Sequence, residues 1–134
     1  MYRRVFSKLT SLFLLSLLCI HPAWAARQTL NGATSANING SGQGDGVSFT
    51  GQGSGTEATL TIPSGDLYAS VTTDGNGYGN MVFQDSSVVY GVLGSNSFRL
   101  HTITITGDNT KTVHVGGGVF ANLVDITNGG SFYN

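Results

Sequence analysis

The sequence has very little cysteine and, outside its first residues, very little positive charge. Its single cysteine, Cys19, has no second thiol in the chain with which to form a disulfide. A fold built from this sequence must therefore be stabilised by side-chain packing and backbone pairing.

Strong bases are scarce from residue 26 onward. Residues 26–134 hold three strong bases against seven acids, a formal net charge of −4. Without a basic patch there is no means of releasing counterions from phosphates, so we expect no nucleic-acid partner. The bases are Arg27, Arg99 and Lys111, and the acids are Asp45, Glu57, Asp66, Asp74, Asp85, Asp108 and Asp125.

The leader, from Met1 to Ala25, has the three-part form of a secretory signal peptide. Arg3, Arg4 and Lys8 give a basic start, and Leu9 to Ile20 form an apolar run too short for the roughly 20 residues that span a bilayer. Small residues at positions 23 and 25 predict cleavage after Ala25, which would also remove Cys19. An uncleaved membrane anchor is the alternative, and Leu18 disfavours a lipoprotein because a small residue is required there.

Helix-forming patterns are nearly absent after the leader, because Gly, Thr, Asn, Ser and Val dominate the composition. Short alternating runs are frequent instead, and they place aliphatic residues on one face and polar residues on the other. Clusters of Gly, Asp, Asn and Ser separate the runs. The clearest runs are 59–62, 102–106 and 112–115.

The apolar positions recur with a regular period of roughly 11 residues. The series is Leu60, Val71, Val82, Val92, Ile103, Val113 and Val124. Two steps make a coil of about 21 residues in which like positions stack. We therefore predict an all-β parallel β-solenoid (β-helix) over residues 57–134, with a β-sandwich as the alternative. Residues 26–56 are rich in Gly, Ser and Asn, and we expect them to form a cap or a flexible lead segment. An imperfect first coil of the solenoid is a further alternative for these residues.

Four segments of the chain carry a resemblance to a known family. Residues 91–97, 100–107, 112–122 and 124–130 are similar to patterns that read G-x-I-G, with Leu93 in place of Ile, L-x-x-I-x-I-x-G, V-x-x-G-G-x-V-x-A and V-x-I-x-N-G-G. This region, about residues 90–130, resembles repeat units in the passenger domains of autotransporter adhesins, especially rickettsial-type surface antigens. Residues 60–74 show a weaker similarity to the same units.

The resemblance implies a β-solenoid exported through the periplasm and either secreted or displayed on the outer membrane of a Gram-negative cell, often as a virulence adhesin. A host or matrix surface protein or a glycan would be its partner. The family's C-terminal translocator, a run of amphipathic strands, is not among these residues, so we expect a truncated passenger. An uncapped last coil also allows end-to-end self-association, and a self-assembling matrix or amyloid-like subunit is the alternative function.

No residue pattern indicates catalysis, a cofactor or a metal ion, and we expect none. The carboxylates are spread about one per turn, whereas sugar cleavage needs two on one cleft. Residues 74–85 follow a calcium loop only loosely, because Tyr78 occupies a ligand position. His101 and His114 have no clustered carboxylate or cysteine beside them. The aromatic residues that would offer a sugar- or protein-binding surface, if exposed, are Tyr68, Tyr78, Tyr90, Phe120 and Tyr133.

Overall fold

The structure is a computed structural model that describes residues 28–32, 36–37, 46–53 and 56–134. The predicted signal peptide lies outside these residues. The described residues form strands and turns, and none forms a helix with the length and hydropathy needed to cross a bilayer. The strands are β1 Gln28–Asn31, β2 Ala36–Asn37, β3 Val47–Thr50, β4 Thr59–Ile62, β5 Val71–Thr73, β6 Asn80–Phe83, β7 Ser87–Val89, β8 Leu100–Thr106, β9 Thr112–Val115, β10 Ala121–Thr127 and β11 Ser131–Tyr133.

The strands form three sheets, and every strand pairing in them is parallel. Sheet A has the order β1-β3-β5, sheet B has β10-β8-β6-β4-β2 and sheet C has β11-β9-β7. From β3 onward the chain passes from sheet A to B to C and returns to A one level higher. This winding confirms the predicted parallel β-solenoid, and the β-sandwich alternative is wrong because its sheets require antiparallel neighbours.

From residue 56 onward each coil has three sides, and in this respect the two-step coil predicted from the sequence is wrong. The third side is difficult to detect in the sequence, because some coils contribute only a single bridging residue to a sheet. Leu67 pairs with Val89 in line with sheet C, and Leu93 pairs with both Val71 and Val119 in line with sheet A. A single residue between two turns carries no alternating pattern for a sequence to reveal.

The coil length is as predicted along sheet B. Leu60, Met81, Ile103 and Val124 lie in register on successive coils, each roughly 21 residues after the one before. Two valines of the predicted series, Val82 and Val92, are each one residue away from a core position, whereas Val71 is fully buried. Val82 and Val92 point outward, while Met81 and Leu93 are fully buried. A shift of one residue reverses the facing of a strand side chain, so an apolar residue beside an equally apolar neighbour does not fix the register.

The core is a set of stacked aliphatic and aromatic columns inside the three sheets. One column contains Ile62, Phe83, Ile105 and Ile126 at matched positions of sheet B. Each fully buried side chain of this size contributes about 1.5–3 kcal/mol. At β10, which has a described neighbour on one side only, this column and the neighbouring one that contains Leu60 become exposed: Ile126 is 41% and Val124 is 36% accessible.

The corner between sheets C and A depends on small residues at matched positions. Ala69, Gly91 and Gly117 lie there on successive coils, by extension of the sheet C register. A Cβ at Gly91 would lie 2.3 Å from the Ala69 carbonyl oxygen, and one at Gly117 would lie 2.4 Å from the Gly91 carbonyl oxygen. Because both obstacles are backbone atoms, the coils can approach each other here only without side chains.

Candidate binding surface

The outward face of sheet C carries exposed aromatic side chains at matched heights on successive coils. Leu67, Val89 and Val113 point into the core, so their alternating neighbours point outward. Tyr68, Tyr90 and Tyr133 are 51%, 57% and 55% accessible, and His114 is also exposed. We call Tyr68, Tyr90, His114 and Tyr133 the aromatic face.

These four rings form two stacked pairs. Tyr68 and Tyr90 have ring centroids 4.5 Å apart with planes inclined by 8°, and His114 and Tyr133 have centroids 4.9 Å apart with planes inclined by 14°. Both distances are close to the spacing of neighbouring strands, about 4.7–4.9 Å, so each ring lies over its partner in the next coil. Stacking restricts ring rotation and holds the rings in a fixed orientation at the surface.

The aromatic face is bordered by polar groups but carries little net charge. The Val88 N–H donates to Asp66 Oδ1 over 2.8 Å, and the Thr112 N–H donates to Ser86 Oγ over 3.1 Å. A hydrogen bond with the Tyr68 side chain is the main cause that raises the pKa of the Tyr90 phenol, and the Asp66 charge adds to it. Tyr90 therefore remains a neutral hydroxyl group at physiological pH.

Two of the five aromatic residues singled out in the sequence lie elsewhere. Tyr78 packs over Gly75, where a Cβ would lie 2.1 Å from a ring carbon, and it is half-buried. Phe120 packs beside Gly118 and is also half-buried. His114 also belongs to the aromatic face, although in the sequence it was considered only as a metal ligand. Its stacking on Tyr133 depends on a last coil that is shorter than the predicted one, which a fixed two-step period did not provide.

The oxygen atoms of the loose calcium loop bind neighbouring coils. Asp74 Oδ2 accepts from the Gly51 N–H over 3.0 Å, and Asn76 Oδ1 accepts from the Arg99 N–H over 3.2 Å. Within the described part of the chain, no group of three or more His, Cys, Asp or Glu side chains is placed to hold a metal ion.

His101 and His114, the two histidines among the described residues, lie on different sheets. His101 is on sheet B, with its Nδ1 3.3 Å from the Glu57 carboxylate, whereas His114 is on sheet C. The structure therefore does not bring the two imidazoles together.

An ion pair joins the corners between sheets B and C on successive coils. Lys111 Nζ lies 2.7 Å from Asp85 Oδ1, and both side chains are partly exposed. The hydrogen bond from Lys111 holds the pKa of Asp85 below its usual value of 3.8, and the bond to Asp85 raises the pKa of Lys111 above 10.5. Asp108, nearby, has its own pKa lowered mainly by a hydrogen bond from the Thr110 hydroxyl.

We expect Lys111→Met to lower the melting temperature slightly at neutral pH, since partly exposed pairs contribute little. A lowered Asp85 pKa stabilises the fold above the unfolded-state pKa, and this contribution is lost as pH falls through the folded-state value. The difference between wild type and variant should therefore shrink in thermal melts carried below pH 3.8. Arg99→Met removes an exposed positive charge and is the matched control. A Lys111→Met difference that persists unchanged in acid would contradict the assignment.

Comparison with protein-family models, with curated proteins and with solved structures finds no match to this chain. The resemblance to autotransporter passenger repeats therefore stays a prediction from the quoted sequence segments. What the chain can do must be argued from its fold and its surface.

Proposed function

We propose that this chain is an exported structural and adhesive module of the Gram-negative cell surface, similar to part of an autotransporter passenger. It acts by presenting a long, regular surface to a partner, and the proposal includes no catalytic step. The aromatic face is the observation that carries it. Half-exposed tyrosines held rigid on a repeating scaffold are suited to binding, because little conformational entropy is lost when a partner docks.

Two further features support the proposal. The leader sequence predicts export. A fold made of parallel coils can also be lengthened by adding repeats, as in other solenoid proteins. A passenger would need a translocator, which would have to be supplied by further sequence or by another protein.

The adhesive proposal predicts a processed, surface-binding protein. Expressed in a Gram-negative host, the exported chain should begin at Ala26 in mass spectrometry. Applied to cultured epithelial cells and to plates coated with extracellular matrix or glycans, it should be retained in a saturable manner. A heat-unfolded sample is the control. Retention on none of these surfaces, or retention equal to that of the unfolded sample, would contradict adhesion.

A self-assembling subunit is the second candidate, and the exposed core residues of β10 favour it. Val124 and Ile126 continue buried columns, and β10 offers a seven-residue strand with a described neighbour on one side only. Parallel strands of another copy could continue sheet B from there. Fibres with cross-β diffraction at micromolar concentration would support this candidate, and a monomer in analytical ultracentrifugation would support the adhesive module.

A further inference from the structure

One ring surface on the aromatic face is left uncovered by the backbone beside it. Tyr68 covers one side of Tyr90, and on the next coil Gly116 lies opposite Tyr90 by extension of the sheet C register, which ends with Val89 beside Val115. A Cβ built at Gly116 would have only the Val89 carbonyl oxygen within 4 Å, at 3.5 Å. There is therefore room beside the Gly116 backbone on the free side of the Tyr90 ring, and the Asn134 amide, which donates to the Val115 and Gly117 carbonyl oxygens, does not come within 4 Å of this Cβ position.

The neighbouring position on the same coil bounds this open space. His114 precedes Gly116 by two positions on sheet C, so it points to the same side, and it is stacked on Tyr133. Tyr90 thus provides a flat apolar floor, while the paired His114 and Tyr133 rings provide a wall carrying an imidazole and a hydroxyl group. The absence of a side chain at Gly116 gives access between them.

The chemistry of this recess favours an uncharged ligand with one flat apolar face and many hydroxyl groups. The outward positions around it are Ser86, Val88, Thr112 and Ser131, which are all uncharged. The Asp66 carboxylate on this face already accepts the Val88 N–H. An anionic ligand would find no cation here, and residues 26–134 carry a net charge of −4 that would repel it.

We infer that Tyr90, His114 and Tyr133 form a subsite for one ring of an uncharged carbohydrate chain. The pyranose face stacks on the open side of Tyr90, and its hydroxyl groups bond to His114 and to the Tyr133 hydroxyl. This inference rests on the proposed adhesive function, for which it names the surface and the class of ligand.

The experiment uses the exported protein and a panel of hexasaccharides. Neutral probes are cellohexaose, laminarihexaose, mannohexaose and N-acetylated chitohexaose, and a heparin hexasaccharide is the anionic comparison. Titration calorimetry gives Kd. Tyrosine fluorescence gives a second signal, because the only tryptophan, Trp24, precedes the predicted cleavage site.

Two variants test the subsite by opposite means. Tyr90→Ala removes the floor, and Gly116→Leu fills the open space while every proposed binding residue remains. We expect each to weaken binding of a neutral probe by up to roughly tenfold, the loss that corresponds to one aromatic contact. Phe98→Ala, which removes an aromatic residue that is 45% accessible and not part of the aromatic face, should leave Kd unchanged. Thermal melts of all variants test whether the fold is retained, and binding is compared only among variants that pass.

Several outcomes would overturn the subsite. These are binding of the heparin probe alone, binding of no neutral probe, and neutral-probe binding that survives both Tyr90→Ala and Gly116→Leu. Retention on cells that is unchanged by Gly116→Leu would overturn the subsite and leave the adhesive function standing. Neutral-probe binding that Gly116→Leu abolishes, in a protein that no surface retains, would support the subsite and contradict adhesion.

Discussion

Gly94→Ala is expected to lower the free energy of unfolding by about 3 kcal/mol or more. Gly94 has φ of 73°, in the left-handed region that residues with a Cβ rarely adopt. A Cβ there would also lie 2.3 Å from the Phe120 carbonyl oxygen. That oxygen accepts the Leu100 N–H over 3.0 Å, so moving it away would weaken a bond between two coils in the interior.

The measurement is equilibrium unfolding in urea, with Gly116→Ala as the matched control. The backbone of Gly116 lies outside the left-handed region, and a methyl group there meets only ordinary contact. We expect Gly116→Ala to change stability by less than about 0.5 kcal/mol. Equal effects of the two substitutions would show that the coils near Gly94 are not packed as described.

The winding of the coil could be predicted because the strands of sheet B repeat a clear pattern. β4 and β8 alternate threonine with a buried aliphatic residue, and the turns between coils are marked by Gly, Asp and Asn. Parallel stacking follows once similar strands recur at a coil's length, because residues in matched positions can then bury the same face.

The three-sided shape of the coils could not be predicted, because some segments of sheets A and C are single bridging residues and the number of residues between matched positions varies. Along sheet C, the step from Ser87 to Val113 is longer than the predicted coil, whereas the step from Val113 to Phe132 is shorter. Turns absorb the difference, since surface loops can gain or lose residues at little cost. One fixed period therefore cannot describe the unequal coil lengths along sheet C.

The aromatic face could not be predicted either, because it too depends on the exact register between coils. Tyr68 and Tyr90 were recognised as candidates, but their stacking requires that Leu67 and Val89 lie in register. Likewise His114 gains a role only when the short coil brings Tyr133 beside it. The burial of core residues follows from the local alternation of apolar and polar residues. A surface site depends on the register between distant segments, and this register cannot be derived from a single sequence.

Ile105→Ala is expected to cost about 2–5 kcal/mol, whereas Ile126→Ala should cost about 1 kcal/mol. The two isoleucines are in register in the same column of sheet B. Ile105 is fully buried between coils, and its truncation would leave a cavity, but Ile126 is 41% accessible and its truncation removes less contact. Identical chemistry at matched positions makes burial the only large difference between the two variants.

Urea unfolding of both variants at several protein concentrations measures this difference. For a monomer, the smaller cost of Ile126→Ala should not depend on concentration. A cost close to that of Ile105→Ala, growing as the protein is concentrated, would mean that another copy covers Ile126 in solution, because only association makes stability depend on concentration. That result would contradict the monomeric adhesive module and would favour a subunit that stacks through β10.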